Sequence, residues 1–388
     1  MPVTVYPKGT TIYRPEKCFN GYTVIQVPGK PGADVALIDM NGNIAHRWAM
    51  DDVKAKGGVP RARLLPSGRL LILRAHGRGM GWGGHTQEYD WDGDLVWEYV
   101  PPGELRPHHD VEKTADGNTL LICRETVPEK IRKKAKEPER RAMLYSDVIQ
   151  EISPDKEVVW EWHQYEALDI NRRINVPAPV DWWAGPENNT LVDWTHTNTV
   201  QAIPENKWFK AGDKRFKPGN VLMSLRQLDL VMLVDRDTKK IVWEYTGDYK
   251  GGMSGQHDAH MIEPGYPGEG NVLIFDNGAS PTKDLSHCGC SFVLEVDPTT
   301  DKVVWVYDQR EEFHSNFTSS CQRLPNGNTL ILEAAHGRLF EVTAEHEIVW
   351  EHVFGKAPRA QRAYRYGYDF CPQMAKLGRP EERPVIPE

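Results

Sequence analysis

The stretch VLEVDPTTDKVVWVY, residues 293–307, contains two short runs of alternating apolar residues separated by a turn. Such alternation around a turn is typical of an antiparallel β-hairpin. The pattern recurs along the chain, usually with an acidic residue in the first run and with a tryptophan in the second. The copies are marked by these tryptophans: Trp48, Trp97, Trp160, Trp243, Trp305 and Trp350. The chain therefore contains six related hairpins.

A second recurring unit lies between the hairpins and reads as two strands joined by a glycine-containing turn. Clear copies are RARLLPSGRLLIL at 61–73 and QRLPNGNTLIL at 322–332. One unit and one hairpin supply four strands, which is the content of one propeller blade, and the period indicates radial repetition. We therefore predict an all-β fold, a six-bladed β-propeller with inserted loops. We expect GYTVIQV, residues 21–27, to be the inner strand of the first blade, and the segment around Tyr364 to help close the ring.

The repeats predict a single propeller domain over residues 1–388, with blades from about 20 to 370 and with two inserted loops, 126–146 and 163–193. Long loops on a rigid scaffold often carry function. The first insertion is charged, and we expect it to contain a helix. The second contains Trp182 and Trp183, which we expect to form an apolar wall over a substrate site, or else to pack on the propeller.

The sequence argues against two classes of binding partner, nucleic acids and membranes. The formal net charge of −8 over 388 residues argues against a nucleic-acid-binding surface, which needs a basic patch. No apolar run approaches the roughly 20 residues that span a bilayer, so we expect no membrane partner. The N-terminus lacks a charged segment followed by an apolar one, and we therefore expect a cytoplasmic protein.

The register of the inner strands predicts a site on the propeller axis. Counting back five positions from the residue before each turn reaches His109, Asn198 and His257 in three different blades. Equivalent positions lie on equivalent faces of a strand, so these side chains are expected to point together into the axial funnel. The same comparison of the next strands aligns Arg124 with Arg226.

The segment QHDAH, residues 256–260, adds further candidates. Strict alternation predicts that His257 and Ala259 share one face of the strand, and that Asp258 and His260 share the other. The candidate catalytic residues are His257, His196, His109 and Arg226. The candidate substrate-binding residues are Asn198, Arg124, Trp182, Trp183, His260 and Tyr364.

Several segments together resemble the bacterial arylsulfate sulfotransferases. These segments are WTHTN at 194–198, MSLRQ at 223–227, GQHDAH at 255–260, GNVLIFDNG at 270–278 and QRLPNGNTL at 322–330, and the similarity extends from Gly21 to about Tyr366. The resemblance implies a six-bladed propeller that moves a sulfuryl group from a phenolic sulfate ester to a phenol without a nucleotide donor. It implies a small aromatic substrate and no metal or other cofactor.

The resemblance also implies roles for individual residues. His257 falls on the histidine that becomes sulfated, and the residues that cradle the sulfuryl oxygens are matched by His109, His196, Asn198 and Arg226. A neutral imidazole is a suitable nucleophile near neutral pH. His196 or His109 would protonate the leaving oxygen, and Arg226 would stabilise the equatorial oxygens.

Three other functions remain open from the residues. In a lyase, a histidine or tyrosine such as Tyr145 or Tyr364 would remove a proton α to a carboxylate that Arg226 neutralises. In a metal enzyme, converging histidines would ligate non-haem iron or copper. A non-catalytic propeller that binds a protein partner would lack a ligand-sized pocket in the funnel.

Overall fold

The structure is a computed structural model. It describes these residues: 8–28, 33–49, 59, 61–75, 84–136, 143–172, 191–278, 290–354 and 362–387. They form six small antiparallel sheets arranged as the blades of a propeller, so the predicted fold is confirmed. In each blade, the four strands are given below in order from the innermost, next to the axis, to the outermost.

The chain begins with β1 (Gly9–Tyr13), which belongs to the last blade. The first three blades contain the following strands. Blade 1 contains β26 (Tyr364–Gly367), β2 (Gly21–Pro28), β3 (Ala33–Ile38) and β4 (Ile44–Trp48); blade 2 contains β5 (Arg61–Leu64), β6 (Leu70–Ala75), β7 (Gly84–Tyr89) and β8 (Leu95–Tyr99); blade 3 contains β9 (Arg106–Lys113), β10 (Thr119–Thr126), β11 (Met143–Ile152) and β12 (Val158–His163). A further strand, β13 (Leu191–Asp193), pairs in parallel with the start of β11.

The other three blades repeat the arrangement. Blade 4 contains β14 (Thr197–Ala202), β15 (Val221–Leu225), β16 (Leu230–Val234) and β17 (Ile241–Tyr245); blade 5 contains β18 (His257–Met261), β19 (Val272–Asp276), β20 (Phe292–Asp297) and β21 (Lys302–Tyr307); blade 6 contains β22 (Ser320–Arg323), β23 (Thr329–Glu333), β24 (Arg338–Val342) and β25 (Ile348–Val353). On blade 6, β1 adds a fifth strand outside β25.

Helices are short in the described part of the chain. The described α-helices are α1 (Glu129–Arg132), α2 (Gln164–Ala167), α3 (Lys207–Lys210) and α4 (Pro372–Leu377), and short 3₁₀ turns are also present. α1 lies in the first predicted insertion and α2 at the start of the second. None of the described helices is both long and apolar enough to cross a lipid bilayer.

The ring closes through the two ends of the chain. β26 pairs with β2 in antiparallel fashion, with Tyr366 opposite Tyr22. The prediction that GYTVIQV is the inner strand of blade 1 was therefore wrong, because the C-terminal strand occupies that position and β2 is the second strand. The apolar alternation within β2 would be the same in the innermost or the second position of the blade. The sequence of β2 therefore does not show that another strand lies inside it.

The hairpin tryptophans occupy one equivalent position in five blades. Each lies opposite the same position of the third strand, in the pairs Glu88–Trp97, Glu151–Trp160, Leu233–Trp243, Glu295–Trp305 and Glu341–Trp350. In blade 1 this position is taken by His46, opposite Leu37, and Trp48 lies two residues further along β4. Trp48 therefore lies in the fourth strand, like the other five, and its indole N–H donates to Asp90 O of the next blade, but its register position differs because the hairpin turn sets the register of the strand.

Ring nitrogens at this position bind the next blade. The indole N–H groups donate to the following hairpin at 2.8–2.9 Å, in the bonds Trp97 to Pro154 O, Trp160 to Arg236 O, Trp243 to Asp301 Oδ1, Trp305 to Ala344 O and Trp350 to Met40 O. In blade 1, His46 Nε2 lies 3.0 Å from Trp91 O, which is the equivalent contact. The recurring tryptophan is therefore a clamp between neighbouring blades.

The recurring acidic residue has a matching role. Four third-strand glutamates pair with a cation of the next blade, in the pairs Glu88–Lys113, Glu151–Arg236, Glu295–Arg323 and Glu341–Arg365. Three of these cations also lie over the clamp rings: Lys113 over Trp97 at 5.4 Å, Arg323 over Trp305 at 5.1 Å and Arg365 over Trp350 at 4.3 Å. Each ion pair therefore repeats the blade-to-blade contact next to the indole hydrogen bond.

Apolar side chains fill the space between blades. Between blades 4 and 5, for example, Val231 and Leu233 belong to the same buried cluster as Ile274 and Leu294. Burial of each such side chain stabilises the fold by about 1.5–3 kcal/mol relative to an exposed one. The blades therefore form a rigid ring that holds the inner strands around the axis.

Candidate functional site

A bulge near the start of β18 directs two successive side chains to the axis. The pairing of β18 with β19 shifts between His257 and His260, and Asp258 has a φ of 54°. Ala259 belongs to the blade core, whereas His257, Asp258 and His260 do not. The expectation that His257 and Ala259 share a face was therefore wrong, because a bulge adds one residue and breaks the alternation.

Other inner strands carry the same irregularity at the same end. His109 has a φ of 59°, His196 a φ of 48° and Ser319 a φ of 85°. The pairing also shifts near His109 in β9 and near Thr197 in β14. Non-glycine residues with positive φ cost free energy and cluster at functional sites. The N-terminal ends of these inner strands therefore lie together at one end of the propeller axis, and their backbone is strained there.

A layer of buried charge crosses the axis below these residues. It consists of Arg61, Asp110, Asp258, Arg362 and Tyr364, which we call the axial plug. Arg61 Nε lies 2.6 Å from Asp110 Oδ1 and its Nη1 lies 3.8 Å from Asp258 Oδ1. Arg362 Nε lies 3.0 Å from Asp258, and Tyr364 donates its hydroxyl to Asp258 at 2.5 Å. Because blades 2 and 5 face each other in the ring, the contact between Arg61 and Asp258 spans the axis.

Two predicted site residues lie at or beyond the plug. His260 lines a cavity of about 510 Å³ below it, together with Arg63, Gln201, Tyr266 and Tyr366. Burial lowers the pKa of His260. Tyr364 belongs to the plug itself, and burial raises its pKa. The structure therefore does not bring His260 and Tyr364 together with His257, although His257 and His260 are close in sequence.

His257 is 3% exposed and is held through one ring nitrogen. Its Nδ1 lies 2.7 Å from Asn277 Oδ1 and 3.0 Å from Gly255 O. Asn277 Nδ2 donates to Ser315 O and Thr318 O, which turns the amide oxygen towards the imidazole. Both neighbours of Nδ1 are acceptors, so we assign the proton to Nδ1 and the lone pair to Nε2.

Burial holds the pKa of His257 well below its ordinary value, and the cations Arg362 and Arg226 act in the same direction. The ring is therefore neutral at neutral pH. The charge of His196 also acts on it, which places all three groups near the ring.

His196 is partly exposed, and its Nδ1 lies 2.5 Å from Asp193 Oδ2. Asp193 ends β13, and the pairing of β13 with β11 fixes this carboxylate. A carboxylate at Nδ1 orients the ring and stabilises the imidazolium that forms when Nε2 takes a proton. The pair can therefore deliver or accept a proton at Nε2.

His109 contacts His196, with ring centroids 4.7 Å apart. On its other side, His109 Nδ1 lies 2.6 Å from His108 Nδ1, and His108 Nε2 lies 2.9 Å from Asp147 Oδ1. Burial holds the pKa of His109 well below its ordinary value, and nearby His196 and His108 add to this effect. His109 is therefore a neutral imidazole within the same group.

Arg226 and Asn198 lie beside these histidines and are held there by different hydrogen bonds. The backbone N–H of Arg226 donates to His196 O at 3.2 Å, in the single 3₁₀ turn Arg226–Leu228 that follows β15. Asn198 is fully buried, and its Nδ2 donates to Gln256 O at 2.7 Å. Asn198 therefore ties blade 4 to the residue before His257, whereas Arg226 is partly exposed.

The remaining candidates are Arg124, which packs on Tyr145, and two tryptophans outside the described residues. The guanidinium of Arg124 lies 4.2 Å above the ring of Tyr145. Trp182 and Trp183 fall outside the described residues. Within the described residues, no three His, Cys, Asp or Glu side chains converge as metal ligands.

Sequence reasoning missed the residues that hold these histidines. The partners are Asn277, Asp193, His108 and Asp147, and the plug residue Arg362 was missed as well. Asn277 follows a buried strand in the DNG segment, and His108 stands next to His109, so polar residues in apolar strands were the available signal. Arg362 gave no such signal, because the segment before it shows no strand pattern.

Comparison with known proteins agrees with the architecture. A structure of a protein of unknown function from Bacteroides caccae has 13% identity and a TM-score of 0.52, and the match covers 89% of this chain and 98% of that one. Virginiamycin B lyase from Staphylococcus aureus has 10% identity and a TM-score of 0.44, covering 89% and 84%. At these identities the likeness concerns the fold alone.

No curated protein matches the chain significantly. The family model of the arylsulfotransferases (ASST) matches residues 62–355, which include every described histidine of the axial site. The match covers well over half of the chain. The protein therefore belongs to the arylsulfotransferase family.

Proposed function

We propose that the protein transfers a sulfuryl group from a phenolic sulfate ester to a phenol, with His257 as the covalent nucleophile. One observation carries the proposal: His257 is buried, neutral and held at Nδ1 by an amide oxygen. This arrangement leaves the Nε2 lone pair for attack on sulfur. Family membership supports the transferase class, and the site supports the choice of nucleophile.

In the first half of the reaction, His257 Nε2 forms a bond to sulfur as the bond from sulfur to the phenolic oxygen breaks. Negative charge then develops on the leaving oxygen. His196, oriented by Asp193, donates the proton that this oxygen needs. Arg226 provides positive charge near the three sulfuryl oxygens, since its charge already acts on His257.

In the second half, a phenol attacks the sulfur of sulfated His257. Its oxygen forms the new bond to sulfur, and the electrons of the bond between sulfur and Nε2 return to the imidazole. The phenol proton must pass to a base in the site. Each half is a direct transfer between oxygen and nitrogen, so this chain's own residues supply every group that the two steps require.

The lyase alternative is less well supported by the geometry. Tyr364, one of its candidate bases, donates its hydroxyl to Asp258 within the axial plug. Burial raises the pKa of this tyrosine, which makes proton abstraction harder.

The test is steady-state transfer from an aryl sulfate to a phenol in the absence of nucleotide. We expect product formation that requires both substrates and that His257→Ala abolishes. A matched control is His346→Ala, since His346 lies in a hairpin turn of blade 6, away from the axis. Equal turnover in the wild type and His257→Ala would overturn the assignment of the nucleophile, and absence of turnover in the wild type would overturn the reaction.

A further inference from the structure

A series of two contacts among three side chains leads away from the candidate site. His109 Nδ1 faces His108 Nδ1 at 2.6 Å, and His108 Nε2 faces Asp147 Oδ1 at 2.9 Å. The side chains of His108 and Asp147 are each 2% exposed. His109, by contrast, is partly exposed and contacts His196. The His109 end of this series of contacts is therefore open to the candidate site, and the Asp147 end is buried within blade 3.

Asp147 is built to stay an anion. Besides His108, it accepts hydrogen bonds from Thr195 Oγ1 at 2.8 Å and from the backbone N–H of Thr197 at 2.7 Å. Burial by itself raises the pKa of Asp147, but His108 and these two donors outweigh burial and lower it. The contact from His108 Nε2 to Asp147 is therefore a donated N–H.

For a neutral His108, this donation sets the protons on both rings. A neutral His108 that carries its proton on Nε2 has a lone pair on Nδ1. The short contact between the two Nδ1 atoms then requires a proton on His109 Nδ1. His109 is consequently left with a lone pair on Nε2, so in the resting enzyme it can accept a proton from a substrate.

We propose that His109 is the base for the acceptor phenol, and that His108 and Asp147 are positioning residues that relay the proton away from the site. The proposal rests on the function proposed above. His109 Nε2 takes the phenol proton, and the proton on His109 Nδ1 moves to His108 Nδ1. The positive charge then resides on His108, beside the carboxylate of Asp147. At the same time the phenolic oxygen bonds to sulfur and the bond from sulfur to His257 breaks.

The relay also accounts for the return of the proton. After the first half, His196 has given its proton to the leaving phenol; after the second, the relay holds one extra proton. The rings of His109 and His196 are in contact, so the proton can pass from His109 back to His196. One proton is gained and one is lost, and the enzyme returns to its starting state.

The relay has a kinetic test in the second half of the reaction. Enzyme sulfated in advance is mixed with phenols of increasing acidity, in the wild type, in His108→Gln and in Asp147→Asn. With weakly acidic phenols we expect both variants to slow transfer by about 10²-fold, the scale of general base catalysis. With a strongly acidic nitrophenol, which is already ionised, the loss should shrink towards none.

A control variant separates the relay from general damage to blade 3. His163→Gln removes another contact between histidine and carboxylate in this blade, His163 Nδ1 to Glu125 at 2.8 Å, on its outer strand. It should transfer at the wild-type rate with every phenol. A loss in His108→Gln that is the same for all phenols, or no loss at all, overturns the relay.

A second measurement does not depend on activity or on how the variants fold. In the resting wild-type protein, ¹⁵N NMR of labelled histidine side chains should show His109 protonated on Nδ1 and unprotonated on Nε2. A proton on His109 Nε2 instead would overturn the proposal. If the wild type shows no transfer but has the expected tautomer, the failure lies in the proposed function and the described proton arrangement stands.

Discussion

Three histidines at one end of the axis differ in the group that faces their Nδ1 atom. His257 faces an amide oxygen, His196 a carboxylate and His109 another imidazole. The amide adds no charge and leaves a neutral ring, whereas the carboxylate stabilises an imidazolium. The same side chain can therefore serve as nucleophile, acid and base within one site.

Asn277→Asp tests this relation at His257. The carboxylate would stand where the amide oxygen lies 2.7 Å from Nδ1, and it would favour the protonated ring. The pKa of His257 is depressed in the native site, so the neutral ring is present above that low value and is lost as the pH falls through it. We expect the variant to move the acidic limb of kcat/KM to higher pH by about one unit or more.

The control for this change is Asn206→Asp. Asn206 also donates two N–H bonds from Nδ2 to carbonyls, Pro204 O and Phe216 O, but it lies at the start of α3. Its replacement should leave the pH profile unchanged. A profile that is identical in wild type and Asn277→Asp would show that Asn277 does not set the protonation of His257.

At the scale of the elements, the recurring tryptophan joins blades through a hydrogen bond that an apolar ring cannot make. Trp350→Phe removes the indole N–H that Met40 O accepts, in a side chain that is fully buried. We expect a loss of about 0.5–1.5 kcal/mol in the free energy of unfolding, because Met40 O loses its shorter, buried hydrogen bond and keeps only the one from Thr10 Oγ1 at 3.3 Å. Urea unfolding followed by circular dichroism measures this loss.

Trp305→Phe is the matched comparison, since Trp305 makes the same contact with Ala344 O but is partly exposed. Water can replace the lost donor there, so its loss should be smaller. Equal losses in the two variants would mean that the indole hydrogen bond contributes little and that ring packing dominates.

The strands themselves were predictable, whereas their irregularities were not. Alternation and turns identified the hairpins, because those patterns are local. The bulge at Asp258 depends on its contacts with Arg61 and Arg362, which come from distant parts of the chain. The register position of Trp48, by contrast, is local, because it follows from the distance of this residue from the hairpin turn. The sequence therefore predicted that His257 faces the axis, but it wrongly placed Ala259 on the same face of the strand.

At the scale of the whole molecule, the ring depends on the joint between its last and first blades. Arg365 lies on β26 and pairs with Glu341 of blade 6, and both side chains are fully buried. Arg365 also donates to Thr23 Oγ1 of β2. One side chain thus connects both ends of the chain to the sixth blade.

Arg365→Met leaves the Glu341 carboxylate buried without its cation. We expect a loss of about 3–5 kcal/mol in the free energy of unfolding, or failure to accumulate folded protein. Adding Glu341→Gln should recover part of that loss, because the uncompensated charge is removed. The exposed pair of Arg383 with Glu381 is the control, and Arg383→Met should change stability by less than about 1 kcal/mol. A similar melting temperature in all variants would contradict the importance of the joint.

The whole molecule also explains which candidates group together. The axial plug separates the end with His257 and His196 from the cavity that His260 lines. Register alone identifies residues that face the axis, but it does not tell at which height each one lies. The sequence thus indicated the axial histidines and Arg226, and it could not separate them from His260 and Tyr364.

In the proposed reaction, His257 carries the sulfuryl group between donor and acceptor, and this covalent step can be observed directly. The protein is incubated with an aryl sulfate and no acceptor, and the protein is then analysed by mass spectrometry. We predict a burst of about one equivalent of phenol and the mass of one sulfuryl group on the peptide that contains His257. This added mass should disappear when an acceptor phenol is supplied. A burst without modified protein, or a sulfuryl group on a different residue, would contradict the role of His257 as the nucleophile.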